Sequence, residues 1–490
     1  MVEKYDNFVN GEWTRPASGE YGTSINPSNG EPCAETPRST ETDVQAAVEA
    51  AFEAFENSEW SEKRPAERTK ALYEFADVLR DNTDSLARKL TLENGKPLKL
   101  AEGEFVFSAD VLDYFAGVNR AVLGETSYMG PEAVSLTFKE PVGVCALITP
   151  WNFPISLAIW KMAPALAVGC TVVWKPSSYT PAIALELGKI IEKLKSLPKG
   201  VVNIISGAGS KVGTELVNHP AVNKIAFTGE TVTGKKIMKM ASLGLKRVSL
   251  ECGGKSPNIV FSDADMEKAL QGAFWAAFRN SGQACAAGSR LIIERSAHDA
   301  FLKRLVSKCE IAKVGDGFDP NTELGPLISL SQLQRVLGYV DKGRDQGARI
   351  LCGGDRLTKG LLSKGFFMPP TVLDNATTEM TVVREEIFGP VVSVETFETP
   401  DEAVSLANAT TYGLVGAVWT KDIDRAMRVS RRIRAGTVWI NNYHEVFPEM
   451  PFGGYRESGI GREMGVHGLS EYLEIKHVNI DYKKAVVAWR

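Results

Sequence analysis

Nothing in the chain pairs its cysteines. The seven, at positions 33, 145, 170, 252, 285, 309 and 352, are odd in number and lack paired spacing. That argues against a disulfide framework and a zinc site, and fits a reducing cytoplasm. Residues 1–10 carry no basic flank followed by an apolar run, so no secretory signal is expected. The longest apolar region, 155–174, is interrupted by Lys161, Pro164 and Gly169, which leaves no membrane span. Basic clusters are missing beyond Arg431-Arg432-Ile433-Arg434, read as a solvated helix end. A net charge of -4 and a pI of about 5.9 offer no attraction for nucleic acid. No repeat period or low-complexity tract occurs, and neither phosphate signature, GxGxxG nor GxxxxGK followed by Ser or Thr, is present.

What is present is globular material for more than one core. At 490 residues, with 44% hydrophobic and 24% charged residues, the chain predicts two or more α/β domains. Asn10-Gly11 between short apolar pieces predicts a hairpin over 8–13. Helical spacing over 42–55, with Val44, Ala47, Val48, Ala51 and Phe55 on one face, and over 65–92 predicts two amphipathic helices. A third covers 103–120, and a half-exposed strand follows at 134–139. Continuous apolar runs at 142–149, 171–174, 201–205 and 224–227 then alternate with helical stretches at 156–167, 180–194 and 211–218. Strands buried on both faces between helices predict a doubly wound parallel sheet with its ligand at the carboxyl ends of the strands. A second α/β series begins near Glu251, with strands at 258–261, 290–293, 391–394, 416–419 and 436–440 and helices at 266–280 and 299–308. The tail, 472–489, alternates like an edge strand that needs a partner, and reads as a subunit contact.

Several loops carry candidate chemistry. Cys285 sits among small residues in Gly282-Gln283-Ala284-Cys285-Ala286-Ala287-Gly288, approachable but needing a base, since only the thiolate attacks. On its own such a cysteine is more often a buried, inert one. Asn152, between Pro150 and Pro154, is either an amide donor to an oxyanion or a turn residue bonding its own backbone. Lys175 ends the next strand, where it suits a sugar hydroxyl or phosphate, or simply faces solvent. Gly229 to Gly234 opens a helix whose N-terminus could seat a pyrophosphate, or is a plain strand-to-helix turn. Glu251, after an apolar strand and before Gly253-Gly254-Lys255, is a candidate base or a partner for Lys255. Glu386-Ile387-Phe388-Gly389-Pro390 and Pro451-Phe452-Gly453-Gly454 are rigid loops that line a pocket or turn the chain.

In this order, these segments resemble the NAD(P)-dependent aldehyde dehydrogenase superfamily from Phe8 to the C-terminus, in its betaine-aldehyde and semialdehyde dehydrogenase branch. The resemblance implies that Cys285 is the nucleophile and that the Asn152 amide and the Cys285 N–H hold the oxyanion. It implies that Glu251 activates water to hydrolyse a thioester. Trp151, Lys175, Gly229, Gly234, Glu386 and Phe388 become cofactor contacts. Phe153, Trp160, Phe447 and Phe452 line the substrate tunnel, and no metal is involved. The implied fold has a dinucleotide-binding domain (1–122 and 142–252), a catalytic domain (253–453) and a small β oligomerisation subdomain (123–141 and 469–490), in a homodimer or homotetramer acting on a small aldehyde.

Two departures from the family pattern carry expectations. Ser178 stands where NAD-using relatives carry a glutamate that grips the adenosine ribose. Losing that carboxylate removes its repulsion of a 2′-phosphate, so NADP use is expected, with NAD tolerated. Glu230 stands where a small serine is common, and a carboxylate beside a pyrophosphate is unfavourable unless it points away. For the substrate, Arg279 resembles the arginine with which semialdehyde dehydrogenases pair a distal carboxylate, or else is a helix-surface ion pair. Trp160 replaces that subgroup's second arginine, and the closing segment is nearer the betaine-aldehyde and general branches. An acidic semialdehyde and a broad or aromatic aldehyde both stay open. So do two other readings, a coenzyme A-acylating semialdehyde dehydrogenase, against which Glu251 counts, and a non-catalytic structural relative.

Overall fold

The computed structural model describes residues 2–57 and 60–482. An eight-stranded sheet runs in the order Gly459–Ile460, Arg247–Glu251, Lys224–Thr228, Val144–Ile148, Thr171–Lys175, Val202–Ile204, Asn7–Val9, Glu12–Thr14. Its five middle strands are parallel, and both edges are finished by antiparallel pairings. The expected hairpin supplies one edge, with Phe8 opposite Trp13. The chain fills this sheet outward in two directions from Val144–Ile148, so the strand order reverses between that strand and Lys224–Thr228. Ligands of open α/β sheets bind at such a point, because the loops leaving the two strands diverge to opposite faces and leave a crevice between them.

A second sheet orders Arg349–Cys352, Thr371–Asp374, Val391–Phe397, Arg290–Glu294, Pro257–Val260, Val415–Trp419 and Thr437–Ile440, all parallel except the first. A third, antiparallel sheet pairs Leu473–Asp481 with Ala133–Pro141 over nine residues and adds Thr126–Tyr128. The predicted tail strand therefore exists and lies at a sheet edge, and its remainder, 483–490, falls outside the described residues. Packed between the first sheet's strands Val144–Ile148 and Thr171–Lys175 and the helices Pro65–Asp81 and Leu98–Val118 lies the helix Ser156–Val168, buried at every position. It is apolar all round, as a helix enclosed on all sides must be, and it carries Trp160 and Lys161 inward.

Local boundaries differ from the periodicity in three places. The helix expected over 65–92 is two, Pro65–Asp81 and Thr83–Asn94, because Asn82 leaves helical geometry and its amide bonds the carbonyl of Val78. The stretch expected as a helix over 211–218 begins as a wide π turn, Gly209–Gly213, and is α-helical only over Thr214–Asn218. The helix expected to reach residue 280 stops at Phe278, because the next turn is left-handed. A three-stranded N-terminal sheet (Glu3–Lys4, Pro32–Pro37, Tyr21–Ile25) and the helix Leu330–Asp345 carried no signal strong enough to be read from sequence. No helix among the described residues is long and apolar enough to cross a membrane.

Candidate active site

The loops leaving the two strands at the reversal point wall a cavity of about 430 Å3. Pro150, Trp151 and Asn152 come from one, and Thr228, Gly229 and Glu230 from the other. Cys285, Glu386 and Phe388 close it from the second sheet's side. The Phe388 ring stands edge-on to Trp151 with centroids 5.3 Å apart. Tyr179, Gln332 and Arg335 also line the wall and were not anticipated.

Cys285 reaches this cavity through a strained turn. After the helix Met266–Phe278, Asn280 and Ser281 adopt left-handed angles (φ 53 and 56) and Gly282 follows at φ 69. A Cβ on Gly282 would lie 2.0 Å from the carbonyl oxygen of Gly389, so the two loops can meet there only over a glycine. The strain is held by buried amides. Asn280 Nδ2 donates to the carbonyls of Asn152 and Gln283 at 3.2 Å each, and Asn152 Nδ2 donates to the carbonyl of Gln283 at 3.1 Å. Asn152, 2% exposed, is thereby fixed beside the cysteine loop with its second N–H uncommitted. Burial, then the charges of Glu386 and Glu251, push the Cys285 thiol up to about 12, so the resting group is a thiol.

Glu251 ends the strand Arg247–Glu251 and is buried with no hydrogen bond to either carboxylate oxygen. It does not line the cavity wall. Its Oε1 lies against Gly453, 2.8 Å from where a Cβ would sit. Behind it Lys161 Nζ donates to Thr228 Oγ1 at 2.6 Å and pairs with buried Glu463. Burial first, and the Glu463 charge second, hold the Glu251 carboxyl well above the ordinary range.

The expected cofactor residues divide. Glu386 accepts from Gly254 N at 3.1 Å, and burial raises its carboxyl to about 7. A Cβ on Gly253 would fall 2.0 Å from Glu386 Oε2, so this glycine makes room for the carboxylate. Lys175 is buried and outside the cavity wall, its amine lowered to about 8 by burial and bonded to the carbonyl of Pro176 at 2.8 Å. Gly234 is also outside the wall and lies against Cys252 Sγ, where it packs helix on strand. Ser178 opens on a second cavity of about 410 Å3, walled also by Glu20, Arg38, Ser206, Gly207 and Lys211.

Residues 13–478 match the model of the Aldehyde dehydrogenase family. The chain is 44% identical over 483 residues to the betaine aldehyde dehydrogenase of Bacillus subtilis, covering 98% of each, and 41% identical over 473 residues to an aldehyde dehydrogenase of Aspergillus niger, covering 96% of this chain and 94% of that one. The chain belongs to the aldehyde dehydrogenase family. The fold agrees. A betaine aldehyde dehydrogenase from Staphylococcus aureus, solved in complex with NAD+, superposes with a TM-score of 0.97 at 42% identity, covering 99% of this chain and 96% of that one. An NAD-dependent aldehyde dehydrogenase from Sinorhizobium meliloti does so with the same TM-score at 39% identity, over 100% and 97%. The enzyme is thus an NAD(P)-dependent aldehyde dehydrogenase of doubly wound α/β architecture that acts on small aldehydes.

Outside the cavity wall of this aldehyde dehydrogenase, aromatic rings gather. Trp160 is edge-on to Phe452 at 5.4 Å and to Phe107 at 6.1 Å. Phe153 has Lys96 Nζ 4.4 Å and the Arg279 guanidinium 5.4 Å from its ring centre, and Arg279 also lies 5.6 Å from Trp275. Arg279 Nε is buried without a partner, and the guanidinium makes no ion pair among the described residues. The reading of Arg279 as a helix-surface ion pair is thereby set aside. Phe447 is not brought into this cluster. It is 55% exposed and makes none of these ring contacts. Lys161, Glu463, Gln332 and Arg335 escaped the sequence reading because each comes from a segment with no motif of its own.

Proposed function

We propose that this aldehyde dehydrogenase oxidises an aldehyde bearing a distal carboxylate to the acid, with NADP preferred and NAD accepted. The Arg279 guanidinium beside Phe153, without an ion pair among the described residues, carries the substrate reading: a half-buried cation in direct contact with no carboxylate calls for one on the ligand. The Trp160, Phe452 and Phe107 rings support a second reading, an uncharged or aromatic aldehyde.

Cys285 loses its thiol proton to solvent, and the thiolate Sγ attacks the carbonyl carbon, the C–S bond forming as the carbonyl π pair moves onto oxygen to give the thiohemiacetal oxyanion. The developing oxyanion accepts from the free N–H of the Asn152 amide and from the Cys285 backbone N–H, stabilised where charge appears. The bound nicotinamide supplies the chemistry of a hydride acceptor, which leaves a thioester on Cys285. The cavity walls suit that dinucleotide: Glu386, seated on Gly253, would hold a ribose hydroxyl, and Trp151 with Phe388 would flank the rings. Glu251 then turns from Gly453 toward Cys285, a motion that breaks no hydrogen bond. It takes a proton from water whose oxygen attacks the thioester, the C–S bond breaks, and the acid leaves. Burial and the Glu463 charge raise the basicity of this carboxylate, which serves as base once ionised, and its presence favours water over coenzyme A as acceptor.

For the cofactor, Ser178 removes a carboxylate, while Lys211 and Arg38 in the same cavity wall make no ion pair among the described residues and would face a 2′-phosphate. The three sheets support a dinucleotide domain over 1–122 and 142–252, a catalytic domain over 253–453 and an oligomerisation segment pair at 123–141 and 469–490. The exposed edge strand Leu473–Asp481 supports a homodimer or homotetramer. Seven unpaired thiols support a cytoplasmic setting. Initial rates with NADP and NAD test the cofactor reading directly. The wild type should favour NADP and Ser178→Glu should reverse the order, whereas a strong NAD preference in the wild type overturns it.

A further inference from the structure

Glu230 occupies the N-cap of the helix Thr231–Ala241, where an acidic side chain ordinarily accepts from the second or third helical amide. It makes no such bond. Its Oε1 lies instead 2.8 Å from Arg335 Nη1, a residue of the helix Leu330–Asp345 that belongs to the other wall of the cavity. Arg335 Nη2 also reaches the carbonyl of Glu386 at 3.4 Å, and one turn earlier Gln332 Nε2 holds the carbonyl of Phe388 at 2.8 Å. Both partners line the cavity and remain accessible, with side chains 62% and 42% exposed.

We propose that Glu230 and Arg335 form a displaceable latch across the dinucleotide cavity, in which the incoming diphosphate takes Arg335 away from Glu230 and Glu230 turns out to solvent. The proposal rests on the reading of this cavity as the dinucleotide site. An exposed carboxylate–guanidinium pair is weak, whereas a diphosphate offers the guanidinium two oxygens and a higher charge. The amides that Glu230 leaves uncapped face the same diphosphate, and the positive end of the helix favours that anion. A carboxylate fixed beside it would be repelled, so the exchange relieves both problems together. Because NAD and NADP share the diphosphate, Glu230 lowers affinity for both in equal proportion. That separates the latch from Ser178, which acts on one of them.

Equilibrium titration of NADH and NADPH fluorescence on the wild type, Glu230→Gln, Arg335→Gln and the double variant tests this. Glu230→Gln should tighten both nucleotides about two- to fivefold and Arg335→Gln should weaken both. In the Arg335→Gln background the Glu230 change should have no effect. If Glu230→Gln weakens binding, the pair instead clasps the bound nucleotide and the latch is wrong. A gain that persists undiminished without Arg335 means simple repulsion, which also overturns it. Failure of the wild type to bind either nucleotide overturns the site reading itself, and the latch with it.

Discussion

Replacing Arg279 by alanine separates the substrate readings because of what surrounds it. The guanidinium is held by the Phe153 and Trp275 rings and by no carboxylate among the described residues, so its removal breaks no ion pair there. Two cation–π contacts at about 0.5–1 kcal/mol each set the stability loss at about 1–2 kcal/mol, small enough for the variant to fold. A charge-assisted guanidinium–carboxylate bond contributes about 1.5–3 kcal/mol. That corresponds to a fall in kcat/KM of about 10- to 150-fold for an acidic aldehyde. The assay compares succinic semialdehyde with butyraldehyde, which has the same chain without the acid. Loss should fall on the first and appear mainly in KM, since the carboxylate is bound alike before and during the chemistry. Arg279→Lys should be intermediate, keeping charge but losing the planar fork. Equal losses on both aldehydes, or none, would show that Arg279 only supports Phe153, and the acidic-substrate reading would go.

Glu463→Gln removes the second-largest cause of the raised Glu251 carboxyl. Glu251 must be ionised to act as base, so activity appears as pH rises through its elevated pKa. The variant lowers that pKa, and the acid limb of the kcat profile should move to lower pH. An unmoved limb contradicts the coupling. Gly282→Ala forces a side chain into the left-handed turn against Gly389. It should cost about 1–2 kcal/mol in backbone conformation alone, lower Tm and reduce kcat by displacing Cys285. A variant of wild-type stability would show that the turn relaxes freely.

How much was legible followed from the range of each signal. The parallel strands Val144–Ile148, Thr171–Lys175 and Lys224–Thr228 announce themselves as short apolar runs, because each is buried on both faces. Cys285, Asn152 and Glu386 sit in loops whose glycines and prolines are local marks. Asn82 and the Asn280-Ser281-Gly282 turn were missed, because a helix period read over a dozen or more residues does not register the one to three that leave it.

The sequence by itself determined the α/β class, the small-residue setting of the Cys285 thiol and the absence of a carboxylate at Ser178, since each is a property of residues close in the chain. Only the tertiary structure decided who stands beside whom. Glu230 sits 105 positions from Arg335, and Lys161 sits 302 from Glu463. Their charges make sense only as pairs, because a carboxylate's position and pKa are set by the nearest charges in space and by burial, neither of which the order of residues records.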